Sequence, residues 1–280
     1  MLKKLKNKNF RYFYLIIFMF FNYKNIIFAL DLNGSFIQGG IAYGKVNNTT
    51  KVFFDSKVVP VSRDGSFIIG FSRDNKPSST IKLIYDNGKV DKKLITIKKR
   101  NYKIQRINNI EKKKVTPPEN YYKRIKNESI LVKEAKKIFF DFPYYKRGFE
   151  MPVQGIITGV YGSQRILNGE TKRPHYGIDI ANKEGTVILS PSDGVVVLSE
   201  KDLYFSGGTI IISHGMGLTS SLLHLSKILV SVGDIVKKGD EVAYMGSTGR
   251  STGPHLDWRM ELRGVRIDPE IVLGLGGISN

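Results

Sequence analysis

A mainly β protein is predicted from this 280-residue chain, with an antiparallel β-sheet domain at the C-terminus that follows a small β-sandwich and a basic linker containing a helix. Short runs of β-branched and aromatic residues, separated by Gly, Asn and Asp, fill most of the chain. Only residues 119–140 show a helical period. Charge also divides the chain, because residues 1–150 hold 32 basic and 12 acidic residues, whereas residues 151–280 hold 12 and 13.

The N-terminus has the pattern of a secretory signal. Five basic residues within residues 1–11 precede an uncharged apolar run at 12–21, as in signal peptides. The run is shorter than the roughly 20 residues that a spanning helix needs. We therefore predict a signal peptide at residues 1–29, cleaved after Ala29, and secretion across the inner membrane into the periplasm or cell envelope. An uncleaved anchor is the alternative.

The chain has no cysteine, which excludes disulfides and thiolate metal ligands.

Residues 31–100 are predicted to form the small β-sandwich. Arg-Asp-Gly at 63–65 and Asp-Asn-Gly at 86–88 stand where hairpin turns belong. The predicted strands are short: Ser35–Gln38, Lys51–Phe54, Lys57–Val61, Ser66–Gly70, Thr80–Tyr85 and Val90–Ile97. About six strands without an intervening helix are typical of a sandwich. The segment contains no histidine, so we expect an accessory domain without chemistry of its own.

Residues 101–150 are predicted to be a basic linker with a helix at Glu119–Phe140. Five apolar side chains fall near one helical face and lysines cover the other: Tyr121, Ile125, Val132, Ala135 and Phe139. Two interpretations stay open, an arm that holds the protein near an anionic envelope surface and a solvated helix that packs on one of the domains. Nucleic-acid binding is not predicted, because neither a recognition helix nor an aromatic platform accompanies the charge.

Residues 151–275 are predicted to form the antiparallel β domain. Glycine and β-branched residues dominate, and turn sequences recur between short apolar runs. The strands expected there include Val187–Leu189, Gly194–Leu198, Thr209–Ser213, Thr219–His224, Glu241–Met245 and His255–Glu261.

All four histidines of the chain lie in this domain. His175 and Asp179 are four residues apart, and His255 and Asp257 are two apart. Both spacings are even, so on strands the members of each pair face the same side while their apolar neighbours face a core. Imidazole and carboxylate donors on a sheet predict a zinc site with three protein ligands and a fourth position for water. His214 is expected to be an ordinary hydrogen-bonded strand residue.

Six segments of this domain resemble a known family. They are Pro174–Ile180, Gly194–Val196, His214–Gly215, His224–Ser226, Gly233–Asp240 and Ser251–Asp257. In this order they resemble the lysostaphin-type (LytM-like) zinc metallopeptidases, metallopeptidase family twenty-three, which are murein endopeptidases. The resemblance covers about residues 151–270.

The resemblance implies roles for individual residues. One zinc ion would be bound by His175, Asp179 and Asp257, while His224 and His255 would be the catalytic residues beside it. Asp257 departs from the family pattern, which has a second imidazole there. With two carboxylates the formal charge of the zinc site is zero instead of +1, so its water should be acidified less. Alternatively, His255 binds the metal and Asp257 orients it.

The predicted function is an exported zinc endopeptidase that hydrolyses peptide cross-links of peptidoglycan. The alternative is a catalytically weak or inactive relative that binds the cell wall or activates another murein hydrolase. Four of the five site residues match the family and the fifth is another metal-binding type, which favours the enzyme. Arg165 and Arg250 are candidates for binding substrate carboxylates, with solvated side chains as the alternative.

Overall fold

Runs of alternating and continuous apolar residues fold the chain into strands, which the computed structural model describes for residues 30–274. The predicted signal peptide, residues 1–29, lies outside the described residues. Within residues 30–274, none of the helices combines the length and the apolar character that crossing a bilayer requires.

The described strands and helices are short. Eight strands come first: β1 Leu32–Gly34, β2 Ile41–Lys45, β3 Lys51–Phe54, β4 Lys57–Val59, β5 Ser66–Gly70, β6 Ser78–Ile84, β7 Val90–Thr96 and β8 Ile104–Ile107. Twelve follow: β9 Ile156–Gly159, β10 Gln164–Leu167, β11 Glu170–Thr171, β12 Gly177–Ala181, β13 Val187–Leu189, β14 Gly194–Leu203, β15 Gly207–Ser213, β16 Leu218–Ile228, β17 Ile235–Val236, β18 Glu241–Met245, β19 His255–Leu262 and β20 Val265–Ile267. The helices are α1 Lys112–Val115, α2 Tyr122–Lys137 and α3 Pro269–Leu273, with 3-10 turns at Glu119–Tyr121 and Tyr144–Arg147. This confirms the predicted mainly β fold.

The N-terminal strands form two antiparallel sheets, ordered β1-β2-β5 and β4-β3-β6-β7. Burial alternates along β6, where Ser79, Ile81 and Leu83 face inward, as expected for a strand with one solvent face. Ile81 and Leu83 share a core with Phe67 and Ile69 of the other sheet. Two sheets around one apolar core form the small β-sandwich.

One predicted strand of the sandwich is misplaced. Ile37, in the predicted strand Ser35–Gln38, makes only an isolated bridge to Lys98, and β1 and β2 lie on either side of it. The reason is local, because Gly39 has a φ of 82° and its amide turns back to the carbonyl oxygen of Phe71. A left-handed glycine ends an extended run.

The C-terminal domain is built on a ten-stranded sheet, whose main path is β17-β14-β15-β16-β19-β12-β9. All seven residues of β15 are buried, since both of its faces are covered. Ile210 and Ile212 face the main core, whereas Ile211 faces a second cluster beneath α2. The sheet therefore gives a rigid floor for side chains on β12 and β19.

Helix α2 packs on this sheet through Val132 and Ala135. Lys136 Nζ also lies 3.0 Å from Oε2 of Glu261 on β19. Phe139, predicted on the apolar face of the helix, lies beyond it, because α2 ends at Lys137, and its side chain is 45% exposed. The predicted linker is thus fastened to the C-terminal sheet at one end of its helix.

Strand β8, also within the predicted linker, pairs in parallel with β10, with Gln105 opposite Arg165. The side chain of Asn168 then fixes the following turn, because its amide donates to the Ile110 carbonyl over 2.6 Å and its oxygen accepts from the Ile110 amide over 3.1 Å. Residues 104–110 therefore lie along the C-terminal domain. The boundaries of the signal peptide, the sandwich, the linker and the C-terminal domain remain predictions.

Candidate metal centre and cleft

Strands β12 and β19 bring the predicted metal ligands together. The two strands pair antiparallel, with Asp179 directly opposite Asp257. His175 precedes β12 and is held by its backbone, since its amide donates to the Ser163 carbonyl over 2.8 Å. One donor atom each of His175, Asp179 and Asp257 lies within 4.8 Å of the others. The convergence of the two carboxylates follows from the register of the paired strands. His175 was predicted on the same strand as Asp179 but lies before β12, so its position depends on the backbone of the preceding segment.

The chemistry of these donors fits a divalent cation. His175 and Asp257 are each 1% exposed and Asp179 is 6% exposed. Both ring nitrogens of His175 and Oδ1 of Asp179 are buried without a hydrogen-bond partner. Nε2 of His175 lies 3.1 Å from that oxygen, but without hydrogen-bond geometry. An unsatisfied buried polar atom costs about 1–3 kcal/mol, which a metal ion bound by imidazole and carboxylate would offset.

Two glycines leave room for the carboxylates. A Cβ atom at Gly159 would collide with the carboxylate of Asp179, and a Cβ at Gly177 would lie 2.7 Å from Oδ1 of Asp257. Any larger residue at either position would therefore displace a candidate ligand.

Each carboxylate is also paired with an arginine. The guanidinium of Arg165 donates to Oδ2 of Asp179. The guanidinium of Arg259 donates to both carboxylate oxygens of Asp257, with Nε 3.0 Å from Oδ1 and Nη2 2.6 Å from Oδ2. Burial opposes ionisation, but Arg259 holds the pKa of Asp257 well below its usual range. In Asp179, His175 and Arg165 likewise lower the pKa against the effect of burial. Both carboxyl groups are therefore ionised at neutral pH.

His224 and His255 face each other beside these donors, with ring centroids 4.7 Å apart. Nδ1 of His224 lies 2.7 Å from the Thr248 carbonyl oxygen, and Nδ1 of His255 lies 2.8 Å from that of Gly253. A carbonyl only accepts, so each Nδ1 carries the proton and each Nε2 of a neutral ring is an acceptor. Nε2 of His255 is 4.0 Å from Oδ1 of Asp179.

The environment of His224 keeps its imidazole neutral. Burial, followed by the neighbouring His255, lowers the pKa of His224 to about 4. Its backbone has a φ of 67°, a left-handed conformation that costs a residue with a side chain energy and often marks a functional position. This conformation breaks the alternation of β16 at the point where the imidazole enters the cleft.

These groups border a cleft of about 330 Å³. One wall comes from the predicted linker, through Gln105, Ile107 and Ile110. On the other side Arg250 stacks over Phe205, 4.8 Å from the ring centroid. Among residues 30–274, no acidic side chain forms an ion pair with Arg250, whose Nη1 lies 3.4 Å from the Lys114 carbonyl oxygen. Burial and the guanidiniums of Arg259 and Arg165 lower the pKa of Arg250 to about 10, so it stays cationic at neutral pH.

The fourth histidine lies elsewhere, as predicted. His214 is completely buried, with Nδ1 2.7 Å from the Asp193 carbonyl oxygen and Nε2 2.6 Å from Oγ of Ser220. Both ring nitrogens are satisfied, so His214 supports the core.

A buried imidazole and two carboxylates on a sheet, with two more histidines at a cleft, form a centre of the kind found in metallohydrolases. The sequence profile of Peptidase family M23 matches residues 173–269, which include all five of these side chains. The chain therefore carries an M23 peptidase domain.

Similar proteins agree with this assignment. An uncharacterized metalloprotease of Haemophilus influenzae is 40% identical over 111 residues, 39% of this chain and 22% of that protein. Peptidoglycan DD-endopeptidase ShyA of Vibrio cholerae is 43% identical over 102 residues, 36% of this chain and 24% of that protein. The matched part thus spans about a quarter of either relative. A solved structure of a candidate M23 peptidase from Pseudomonas aeruginosa has a TM-score of 0.66 and 27% identity, covering 86% of this chain and 95% of that one.

Sequence reasoning missed two features of the site. Arg259 lies two residues beyond Asp257 on the same strand. The even spacing that places His255 and Asp257 on one face therefore also predicts that Arg259 lies on that face. Gln105 and Ile107 left no comparable signal, because a four-residue strand of mixed polarity does not show which partner it will pair with.

Proposed function

We propose that this protein is a zinc-dependent endopeptidase that hydrolyses peptide cross-links of peptidoglycan. The observation that carries the proposal is the buried group of His175, Asp179 and Asp257, which adjoins a cleft with two histidines. Atoms of His175 and Asp179 in this group have no hydrogen-bond partner. The M23 profile match supports a peptidase, and the name of the Vibrio cholerae relative supports the substrate.

The three buried donors would hold one zinc ion. When bound, zinc supplies Lewis-acid polarisation of the scissile carbonyl and activation of a water molecule. The protein contributes the rigid position of the donors on β12 and β19, and a cleft that admits an extended peptide.

His255 is the residue that we propose takes the proton of the attacking water, on Nε2, and delivers it to the leaving amine. Its side chain is 17% exposed, and an imidazolium formed there has Asp179 as an anionic neighbour. His224 is neutral and donates its Nδ1 proton to Thr248. Its Nε2 can therefore only accept a hydrogen bond, which orients the water or the scissile amide.

Arg250 is proposed to bind a carboxylate of the substrate. Of the three arginines near the candidate centre, Arg165 and Arg259 pair with Asp179 and Asp257, respectively. Arg250 has no acidic partner among the described residues. Peptidoglycan peptides carry free carboxylates, and a guanidinium binds such a group through two parallel hydrogen bonds.

The site of action that we propose is the periplasm or cell envelope, reached by export through the N-terminal signal. An outward face of α2 supports contact with an anionic envelope surface, because Lys126 and Lys133 are exposed beside Ile130, which is 50% exposed. Basic residues interspersed with apolar ones suit such a surface.

A second candidate is a relative without activity that binds the wall or activates another hydrolase. The arginine fork on Asp257 favours it, since Arg259 already donates to both carboxylate oxygens. The first candidate binds zinc and cleaves peptidoglycan, whereas the second does not cleave it.

Purified protein should contain about one zinc per chain and release soluble peptides from isolated sacculi. His175→Ala should abolish both, because it removes a donor, while Lys201→Ala, an exposed position on β14, should change neither. Zinc content is measured by elemental analysis and release by chromatography of the soluble fraction. Intact sacculi with a zinc-loaded protein would favour the binding candidate, and absence of zinc would exclude the metallopeptidase.

A further inference from the structure

The carboxylate of Asp257 is held by a single guanidinium. Arg259 Nε lies 3.0 Å from Oδ1 and 3.1 Å from Oδ2, and Nη2 lies 2.6 Å from Oδ2. The Asp257 side chain is 1% exposed and that of Arg259 is 28% exposed. Within residues 30–274, Asp257 is the only carboxylate that pairs with Arg259. A bidentate fork of this kind fixes a carboxylate in both position and orientation.

The pair changes the charge of the proposed metal centre. Zinc with His175, Asp179 and Asp257 has a formal charge of zero. Including Arg259 returns that charge to +1, which is the value for one carboxylate and two imidazoles. Arg165, which pairs with Asp179, would add one positive charge to either site and does not alter this comparison. The aspartate and the arginine together are neutral, as an imidazole is.

We propose that Asp257 and Arg259 act as one neutral donor unit, in which Asp257 supplies the oxygen ligand and Arg259 restores the positive charge that an imidazole site would have. The inference rests on the proposed zinc site. Arg259 is a positioning residue, because it acts on the metal through Asp257. The expected weaker acidification of the water by two carboxylates is then largely offset by the guanidinium.

The unit predicts that exchanging either residue alone weakens zinc binding. Asp257→His would leave the guanidinium without its anion and directed towards the metal, which repels zinc. Arg259→Gln would leave two uncompensated carboxylates around the ion. Exchanging both would recreate a site of one carboxylate and two imidazoles with unchanged formal charge.

The test is a double-mutant cycle on zinc affinity, measured by competition with a chromophoric chelator. We expect Asp257→His alone to weaken zinc binding by about ten-fold or more, the usual effect of a disturbed ligand environment. Adding Arg259→Gln to that variant should restore the affinity to within a few-fold of wild type. The absorption spectrum of the Co²⁺-loaded proteins should change in Arg259→Gln, because the orientation of Asp257 changes.

Arg266→Gln in the Asp257→His background is the matched control. Arg266 is paired with Glu261 over 2.9 Å on the neighbouring strand, so removing it takes away the same charge without touching Asp257, and no restoration is expected. If Asp257→His does not fold, as judged by thermal unfolding, Asp257→Asn removes the same anion with little change in size. Adding Arg259→Gln to Asp257→Asn should then recover only part of the lost affinity, because the guanidinium repulsion is removed but an amide replaces the carboxylate ligand.

Equal zinc affinities of Asp257→His with and without Arg259→Gln would overturn the inference, and so would an unchanged Co²⁺ spectrum in Arg259→Gln. Failure of the wild-type protein to bind zinc would instead overturn the proposed function. The two failures are therefore distinguishable.

Discussion

At the scale of single residues, the arginines near the candidate centre differ in whether an acidic side chain neutralises their charge. Arg165 and Arg259 each neutralise one of the two buried carboxylates, so their charge is used within the protein. Arg250 differs, because its contacts are the ring of Phe205 and a backbone carbonyl. Its charge therefore remains available to a ligand.

Arg250→Gln should raise KM for a cross-linked muropeptide by roughly ten- to a hundred-fold, since a hydrogen-bonded charge pair contributes about 1.5–3 kcal/mol. kcat should change much less, because the contact is equal in the ground and transition states. Steady-state kinetics with the free-carboxylate and the amidated peptide measure this effect.

Arg106→Gln is the matched control for that experiment. Arg106 lies on β8 next to Gln105, but Gln105 lines the cleft and Arg106 is exposed. If amidation of the peptide alters KM equally in wild type and Arg250→Gln, the carboxylate does not bind at this residue.

At the scale of elements, the register of β12 against β19 creates the centre, and this part was predictable. Side-chain alternation places Asp179 and Asp257 on the front of the sheet, and Ile178 and Trp258 on its back, where both are completely buried. A slip of one residue would exchange the two faces and bury the carboxylates in the core, so the apolar back fixes the register.

Other elements could not be predicted, for physical reasons. The pairing of β8 with β10 depends on a long-range contact between segments about 60 residues apart in sequence, whereas alternation reports only on local burial. The position of His224 depends on a left-handed backbone, which residue types other than glycine seldom indicate. Sequence patterns thus predicted which side chains meet at the candidate centre, while the cleft wall and the orientation of His224 required tertiary structure.

At the scale of the whole molecule, stability should depend on keeping buried histidines neutral. Burial lowers the pKa of His214 from 6.5 to about 4. Between these values the unfolded chain binds more protons than the folded one, so stability is lost as the pH falls from 6.5 towards 4. The dependence approaches about 1.4 kcal/mol per pH unit for each such group.

His214→Gln should therefore be less stable at pH 7, because it disturbs the hydrogen bonds to Asp193 and Ser220. Its free energy of unfolding should fall less than that of wild type between pH 6.5 and pH 4.5. Urea unfolding at several pH values measures both quantities. Parallel pH profiles for the two proteins would show that His214 does not contribute to the acid sensitivity.

The measurement that tests the central claim most directly is anomalous diffraction at the zinc absorption edge from crystals of the zinc-loaded protein. The account predicts one peak, bonded at about 2.0–2.2 Å to His175, Asp179 and Asp257, with Arg259 still paired to Asp257. A peak bonded to His255 in place of Asp257, or no peak among these residues, would contradict it.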